Sequence, residues 1–111
     1  MCGLAGVLST NNIPTTSVLS AMTNAIHHRG PDDQGAWIDS TAGIGLAHAR
    51  LAIVDLSPAG HQPMKSLSGR FVIAFNGEIY NHLELRAELE TNNPGIRWNG
   101  HSDTETLLAG F

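Results

Sequence analysis

A single cysteine, at position 2, is the only sulfhydryl in this 111-residue sequence. One thiol cannot close an internal disulfide, and no CxxC pair exists to hold zinc. A reducing, cytoplasmic setting is the simplest expectation for such a chain. Charged residues make up 14% of the sequence, and the six Lys and Arg residues form no basic run. With a net charge of -4, no nucleic-acid or anionic-membrane partner is expected. Aromatics contribute only 5%, and no apolar stretch approaches bilayer-spanning length. The opening LAGVL run is too short for a secretory core and has no basic segment before it. Six histidines are present, but none shows paired ligand spacing such as HExxH, so no metal site is expected.

What remains is an ordinary globular composition, 41% hydrophobic, sized for one small domain. CGLAGVLS reads as a buried first strand. SVLSAMTNAIHH puts Val18, Leu19, Met22, Ala25 and Ile26 on one helical face. HRGPDDQG is a loop by turn chemistry. GAWIDS and the long GIGLAHARLAIVDL read as strands. FVIAFNGEIY suggests a hairpin turning at Asn76-Gly77. Asn81 with Glu84 predicts a capping box for the helix HLELRAELE, and IRWNG a short strand. Ser102 with Glu105 predicts a second capping box, for a helix that reaches Phe111 without a closing glycine arrangement. The expectation is an α+β domain whose sheet faces need a partner layer, so the sequence reads as the N-terminal part of a larger domain.

Five stretches carry candidate chemistry, although each also has an adequate structural explanation. Cys2 is a small buried hydrophobe by default. Removal of Met1 would instead leave its thiol beside a free α-amine, the partner that activates N-terminal nucleophiles. Asn76 and Gly77 make a turn by default, yet a side-chain amide next to a glycine N–H also forms a donor pair for an oxyanion. Arg50 interrupts an apolar strand, where its guanidinium fork could grip a carboxylate. Asp103 suits the first turn of a helix, and equally an ammonium group. HHRGPDDQG would shape or cover the site. A thiol, an oxyanion hole, an arginine and an aspartate together describe hydrolysis of an amino-acid side-chain amide, and glutamine fits.

MCGLAGVL, HRGPDDQG, AHARLAIVDLSPAGHQPM, FNGEIYNHLELR and HSDTETLL, in this order, closely resemble the N-terminal glutaminase domain of glutamine-hydrolysing asparagine synthetases. These are class II glutamine amidotransferases. The resemblance implies the four-layer αββα sandwich of N-terminal nucleophile hydrolases, two antiparallel sheets face to face with helices outside, incomplete in this chain. It implies that residues 1–111 are the N-terminal part of that domain, with the synthetase domain absent. It further implies Cys2 as nucleophile and Asn76 and Gly77 as the oxyanion hole. Arg50 would bind the glutamine carboxylate, the backbone of Leu51, Ala52, Ile53 and Val54 would line the pocket, and Glu78 and Asp103 would orient the substrate amine. No cofactor is implied for the glutaminase half-reaction; ATP and magnesium belong to the missing synthetase domain. Implied partners are glutamine, the C-terminal synthetase domain and, as an assembly, a homodimer. Two other readings stay open at this point: a relative that amidates another carboxylate, such as a sugar or cell-envelope acid, and a non-catalytic fragment.

Overall fold

The computed structural model describes all residues from Met1 to Phe111. Three strands, β1 (Gly3–Leu8), β2 (Asp33–Asp39) and β3 (Ile44–Arg50), form an antiparallel sheet in the order β1-β3-β2. The register sets Gly3 opposite Ala49 and Gly35 opposite His48. Because side chains alternate along a strand, Ala47 and Ala49 share one face while His48 and Arg50 share the other. Helix α1 (Thr16–Ala25) covers the alanine face. Thr15 caps it by accepting the Val18 N–H at 3.2 Å. Leu19 is fully buried there, and a side chain at Gly45 would lie 3.1 Å from its methyl groups. The opposite face, bearing His48 and Arg50, carries candidate functional residues.

A second, two-stranded antiparallel sheet pairs β4 (Met64–Lys65) with β5 (Val72–Ile73). Two further helices follow: α2 (His82–Asn92) and α3 (Asp103–Gly110), which pack on each other. The chain is therefore α+β, with antiparallel sheets and three α-helices. No helix is long and apolar enough to cross a membrane. Buried apolar residues number only four (Leu19, Ala47, Ala49 and Leu108), against eleven buried polar or charged ones. Polar networks therefore fix much of this fold, and each buried member must find a partner.

Several expectations give way. Asn76-Gly77 is not a hairpin turn: Gly77 has no positive φ, and β5 ends at Ile73. The hairpin is SLSGR, turning one strand earlier, where Gly69 supplies the positive φ of 71°. The long strand stops at Arg50, because the Leu51 and Ala52 N–H groups go to side chains, Cys2 Sγ and Asp32 Oδ2. Helix α1 ends at Ala25 and a 3₁₀ turn takes up His27–Arg29, while the loop after it yields to β2 from Asp33 onward. Val18 lies on the outer side of α1 and is 47% exposed. Asn81 begins α2 without a side-chain cap; the Glu84 N–H meets the Asn81 carbonyl instead.

The expected IRWNG strand is absent, since its groups face α2 and α3 rather than another strand. Trp98 donates to Glu90 at 2.7 Å and lies under the Arg86 guanidinium, 4.0 Å from the ring centre. Arg86 also donates to Gly100 O and Thr106 Oγ1, and pairs with Glu105 at 3.4 Å. Glu105 in turn accepts the Asn99 and Gly100 N–H groups at 2.6 and 3.0 Å. Half of the second capping box forms, with Ser102 Oγ accepting the Glu105 N–H at 3.3 Å. This network holds the 99–102 approach to α3, and with it the position of Asp103.

The contrast between Leu19 and Val18 is measurable. Leu19→Ala opens a cavity under the sheet and should cost about 2–5 kcal/mol in denaturant unfolding. Val18→Ala, at an exposed position, should change stability by about 0.5 kcal/mol or less.

Candidate active site

A cavity of about 110 Å³ opens where the chain start, the end of β3, the 75–78 segment and the first turn of α3 meet. Of the candidate residues, Cys2, Arg50, Asn76, Gly77, Glu78 and Asp103 all line it, together with Leu51, Ile53 and Val54. Ala52 turns away from the cavity, held by its N–H bond to Asp32 Oδ2 at 2.8 Å. Met1 also lines the cavity and is largely exposed.

The β1–β3 register brings Cys2 to the end of β3. Its half-buried sulfur accepts the Leu51 N–H at 3.2 Å and lies 3.5 Å from the Leu51 carbonyl oxygen. A thiol 49 residues distant in sequence is thereby tied to the peptide that follows Arg50.

Arg50 is buried and forms no ion pair. Its guanidinium donates to the Ser57 carbonyl at 2.9 Å and to the Asp55 carbonyl. Those bonds use two of its five N–H groups, so the fork is aimed and still has donors to offer. Gly60 lies against the guanidinium, and a side-chain carbon there would overlap it. Asp55 secures the loop beneath. Its carboxylate accepts the Ser57 N–H at 2.8 Å and the His101 N–H at 2.7 Å. Burial works to raise the Asp55 pKa, but the bonds from Ser57 and His101, with the Arg50 charge, outweigh it and hold the carboxyl below its ordinary value.

Across the cavity Asp103 is buried at the start of α3. It accepts the Ile79 N–H at 2.8 Å and its neighbour Thr104's N–H at 2.9 Å, yet no cation pairs with it. Glu78 is exposed at the rim. The Asn76 side-chain amide and the Gly77 N–H donate to no protein acceptor. The arrangement thus offers a thiol, a buried cation without an anion, a buried anion without a cation, and two unengaged donors. That set is complementary to a zwitterionic amino acid bearing an electrophilic carbonyl.

Three residues of the site region escaped the sequence reading: His48, Gln62 and Asp55. His48 had a signal, since it shares Arg50's strand face at a spacing of two. Asp55 and Gln62 sit in loops whose pattern carries no such cue. His48 is fully buried, and its Nε2 is 3.1 Å from the Phe75 carbonyl oxygen. A carbonyl only accepts, so the proton resides on Nε2 and the ring donates. Nδ1 is buried without a partner. Burial, above all, lowers the His48 pKa; the Phe75 carbonyl opposes this and the Arg50 charge reinforces it.

Known proteins resemble this chain over most or all of its length. The family described as a glutamine amidotransferase domain matches residues 1–111. The chain is 41% identical over 115 residues to asparagine synthetase [glutamine-hydrolyzing] 1 of Bacillus subtilis, covering all of this chain and 17% of that protein. It is 38% identical over 111 residues to asparagine synthetase B of Escherichia coli, covering 98% of this chain and 19% of the relative. Amidase chry2 of Gibberella zeae is 37% identical over 91 residues, covering 82% of this chain and 13% of that protein. The chain thus spans less than a quarter of the length of the curated relatives it matches.

The lowered His48 pKa fixes the sign of a pH effect. As pH falls below the ordinary value of 6.5, the unfolded chain takes up a proton at this residue before the folded one does. The stabilisation is therefore complete above that value and declines as pH drops from it through the folded-state pKa. His48→Gln, which cannot titrate, should flatten this part of the stability curve measured by thermal melting between pH 7 and 5.

Proposed function

The chain belongs to the glutamine amidotransferase domain family, and from that premise we propose that its cavity hydrolyses the side-chain amide of glutamine with Cys2 as nucleophile. The observation that carries this reading is the convergence, on one cavity, of the thiol, the unpaired charges of Arg50 and Asp103, and the unengaged donors of Asn76 and Gly77. The free N–H groups of Arg50 grip the α-carboxylate. Asp103, with Glu78 at the rim, takes the α-ammonium. The backbone of Leu51, Ile53 and Val54 runs beside the substrate, whose side-chain amide then extends toward sulfur.

Chemistry at that point needs a base. With Met1 removed, the α-amine of Cys2 has a pKa of about 7.7–8.0, suited to taking the thiol proton. The sulfur attacks the amide carbon, and the Asn76 amide and Gly77 N–H stabilise the resulting oxyanion. Collapse returns the proton to the leaving nitrogen, which departs as ammonia, and leaves a thioester. Water, deprotonated by the same amine, attacks through a second oxyanion and releases glutamate. Met1 lines the cavity as it stands, so its excision would both create the base and widen the entrance.

The two antiparallel sheets fit as part of a four-layer αββα sandwich, with residues 1–111 its N-terminal portion. The relatives' names point to aspartate as final acceptor. Amidation would occur on a C-terminal synthetase domain using ATP and magnesium, in the cytoplasm, where a catalytic thiol stays reduced, and within a homodimer. A different carboxylate acceptor is the second reading, since one relative matched over 82% of this chain is not named as an asparagine synthetase. The glutamine half of the chemistry is common to both.

Glutamate release from glutamine tests the reading. The processed protein, lacking Met1 by intact mass, should be active, and a form with a bulky residue inserted after Met1 should fold but be inactive. Its thiol remains, but the adjacent nitrogen is a peptide with no basic lone pair. Wild-type turnover with Met1 retained would refute the N-terminal nucleophile. In a full-length parent carrying the synthetase domain, Asn76→Ala should lower glutamine turnover by about 10²–10³, the effect of removing one oxyanion donor, and spare synthesis from free ammonia.

A further inference from the structure

Phe75 is held through both of its backbone groups. Its N–H donates to Gln62 Oε1 at 2.7 Å, and its carbonyl accepts from His48 Nε2 at 3.1 Å. Both partners are buried, His48 completely. They reach Phe75 from different elements. His48 rises from the central strand β3, whereas Gln62 lies on a segment that crosses the same sheet face. Gly35, directly opposite His48 in the register, makes the crossing possible, because a side-chain carbon there would overlap the Gln62 carbonyl and lie 2.7 Å from the His61 ring. The other end of Gln62 donates to Thr104 Oγ1 at 3.1 Å, next to Asp103. Downstream, Asp103 itself takes the Ile79 N–H at 2.8 Å. Residues 75–79 are thus pinned at their start by His48 and Gln62 and at their end by Asp103.

The carbonyl that His48 holds belongs to the peptide joining Phe75 to Asn76. Its direction decides where the Asn76 side chain leaves the backbone, and the next peptide carries the Gly77 N–H. Donors for an oxyanion are effective when they already point at the developing charge and need not rotate during the reaction. We propose that His48 and Gln62 are positioning residues for the oxyanion site, His48 fixing the plane of the Phe75–Asn76 peptide and Gln62 its placement relative to α3. The inference rests on the amide-hydrolysis reading above and adds two residues that supply no reacting atom.

A positioning role and a merely structural one both predict some loss of stability, and they differ in kinetics. Arg50 and Asp103 hold the amino-acid end of the substrate, so disturbing the oxyanion donors should reduce kcat and leave KM within about twofold. In the native protein, His48→Leu and Gln62→Met should each lower kcat for glutamine by about 10–100-fold, less than deleting an oxyanion donor outright. His48→Gln, whose amide nitrogen can occupy the Nε2 position, and Gln62→Glu, which keeps an acceptor for the Phe75 N–H, should recover most of that loss. Wild-type kcat in both His48→Leu and Gln62→Met would overturn the proposal. So would a KM that rises in step with the fall in kcat, or equal losses in the conservative and disruptive variants. Should His48→Leu fail to fold, His48→Asn takes its place. Its shorter amide cannot reach Phe75, and equal kcat in His48→Asn and His48→Gln would again overturn the proposal. Absence of glutamine hydrolysis in the wild type is a separate failure, of the underlying reaction.

Discussion

The antiparallel pairing that sets Gly3 opposite Ala49 brings the chain start to the end of β3, beside Arg50 and Leu51. A slip of one residue would turn every side chain of β1 to the other face and carry the thiol out of reach of the Leu51 peptide. The register is held by the demands of the helix-covered face, where Leu19 packs over Gly45. The apolar side of the sheet thereby determines the geometry of its polar side. Cys2 needs no dedicated anchor beyond the Leu51 backbone, because the strand pairing has already delivered it.

The polar side, in contrast, carries costs that packing alone would not tolerate. Arg50 and Asp103 are both buried and neither has an ion-pair partner. Removing a charge from water without a counter-charge is unfavourable by several kcal/mol unless hydrogen bonds offset it. Each residue has such bonds: Arg50 to the Ser57 and Asp55 carbonyls, Asp103 to the Ile79 and Thr104 N–H groups. These bonds satisfy part of each group's capacity and leave each without a direct ion pair, the Asp55 carboxylate acting on Arg50 only at longer range. A zwitterion entering the cavity would complete both at once, and its recognition would draw on a deficit the fold already carries.

Legibility in the sequence followed the range of the interactions concerned. The first three strands and three helices were readable from local pattern; the expected cap at Ser102 forms, whereas the one at Asn81 does not. Asn76-Gly77 misled for a physical reason. Asn-Gly is the favoured pair for a tight hairpin, but the Phe75 peptide is engaged by His48 and Gln62, and no strand partner is available for residues after Ile73. Trp98 misled similarly: an aromatic between Ile and Gly suggests a strand, yet its ring serves the Arg86 guanidinium. The cavity residues were accessible because the chemistries of Cys2, Arg50, Asn76 and Asp103 converge on one substrate, although each alone has an adequate structural explanation. Gln62 and Asp55 add no group to that set, and only the folded chain reveals what they hold.

The failed hairpin bears on why this site can be rigid without a large apolar core. In a hairpin, the Asn76 and Gly77 groups would be absorbed into a turn and its flanking ladder. Here the bonds of the segment fall on Phe75 and Ile79, the residues on either side, and the donors between them are left without protein acceptors. Satisfying the neighbours immobilises the segment, while the central groups stay available to a ligand. The anchors come from β3, the segment crossing the sheet and the start of α3, so displacing any one strains the others. With four buried apolar residues in the chain, such cross-element hydrogen bonds supply the stiffness that packing supplies elsewhere. The polar interior and the ordered donors are therefore the same structural feature, seen first as stability and then as chemistry.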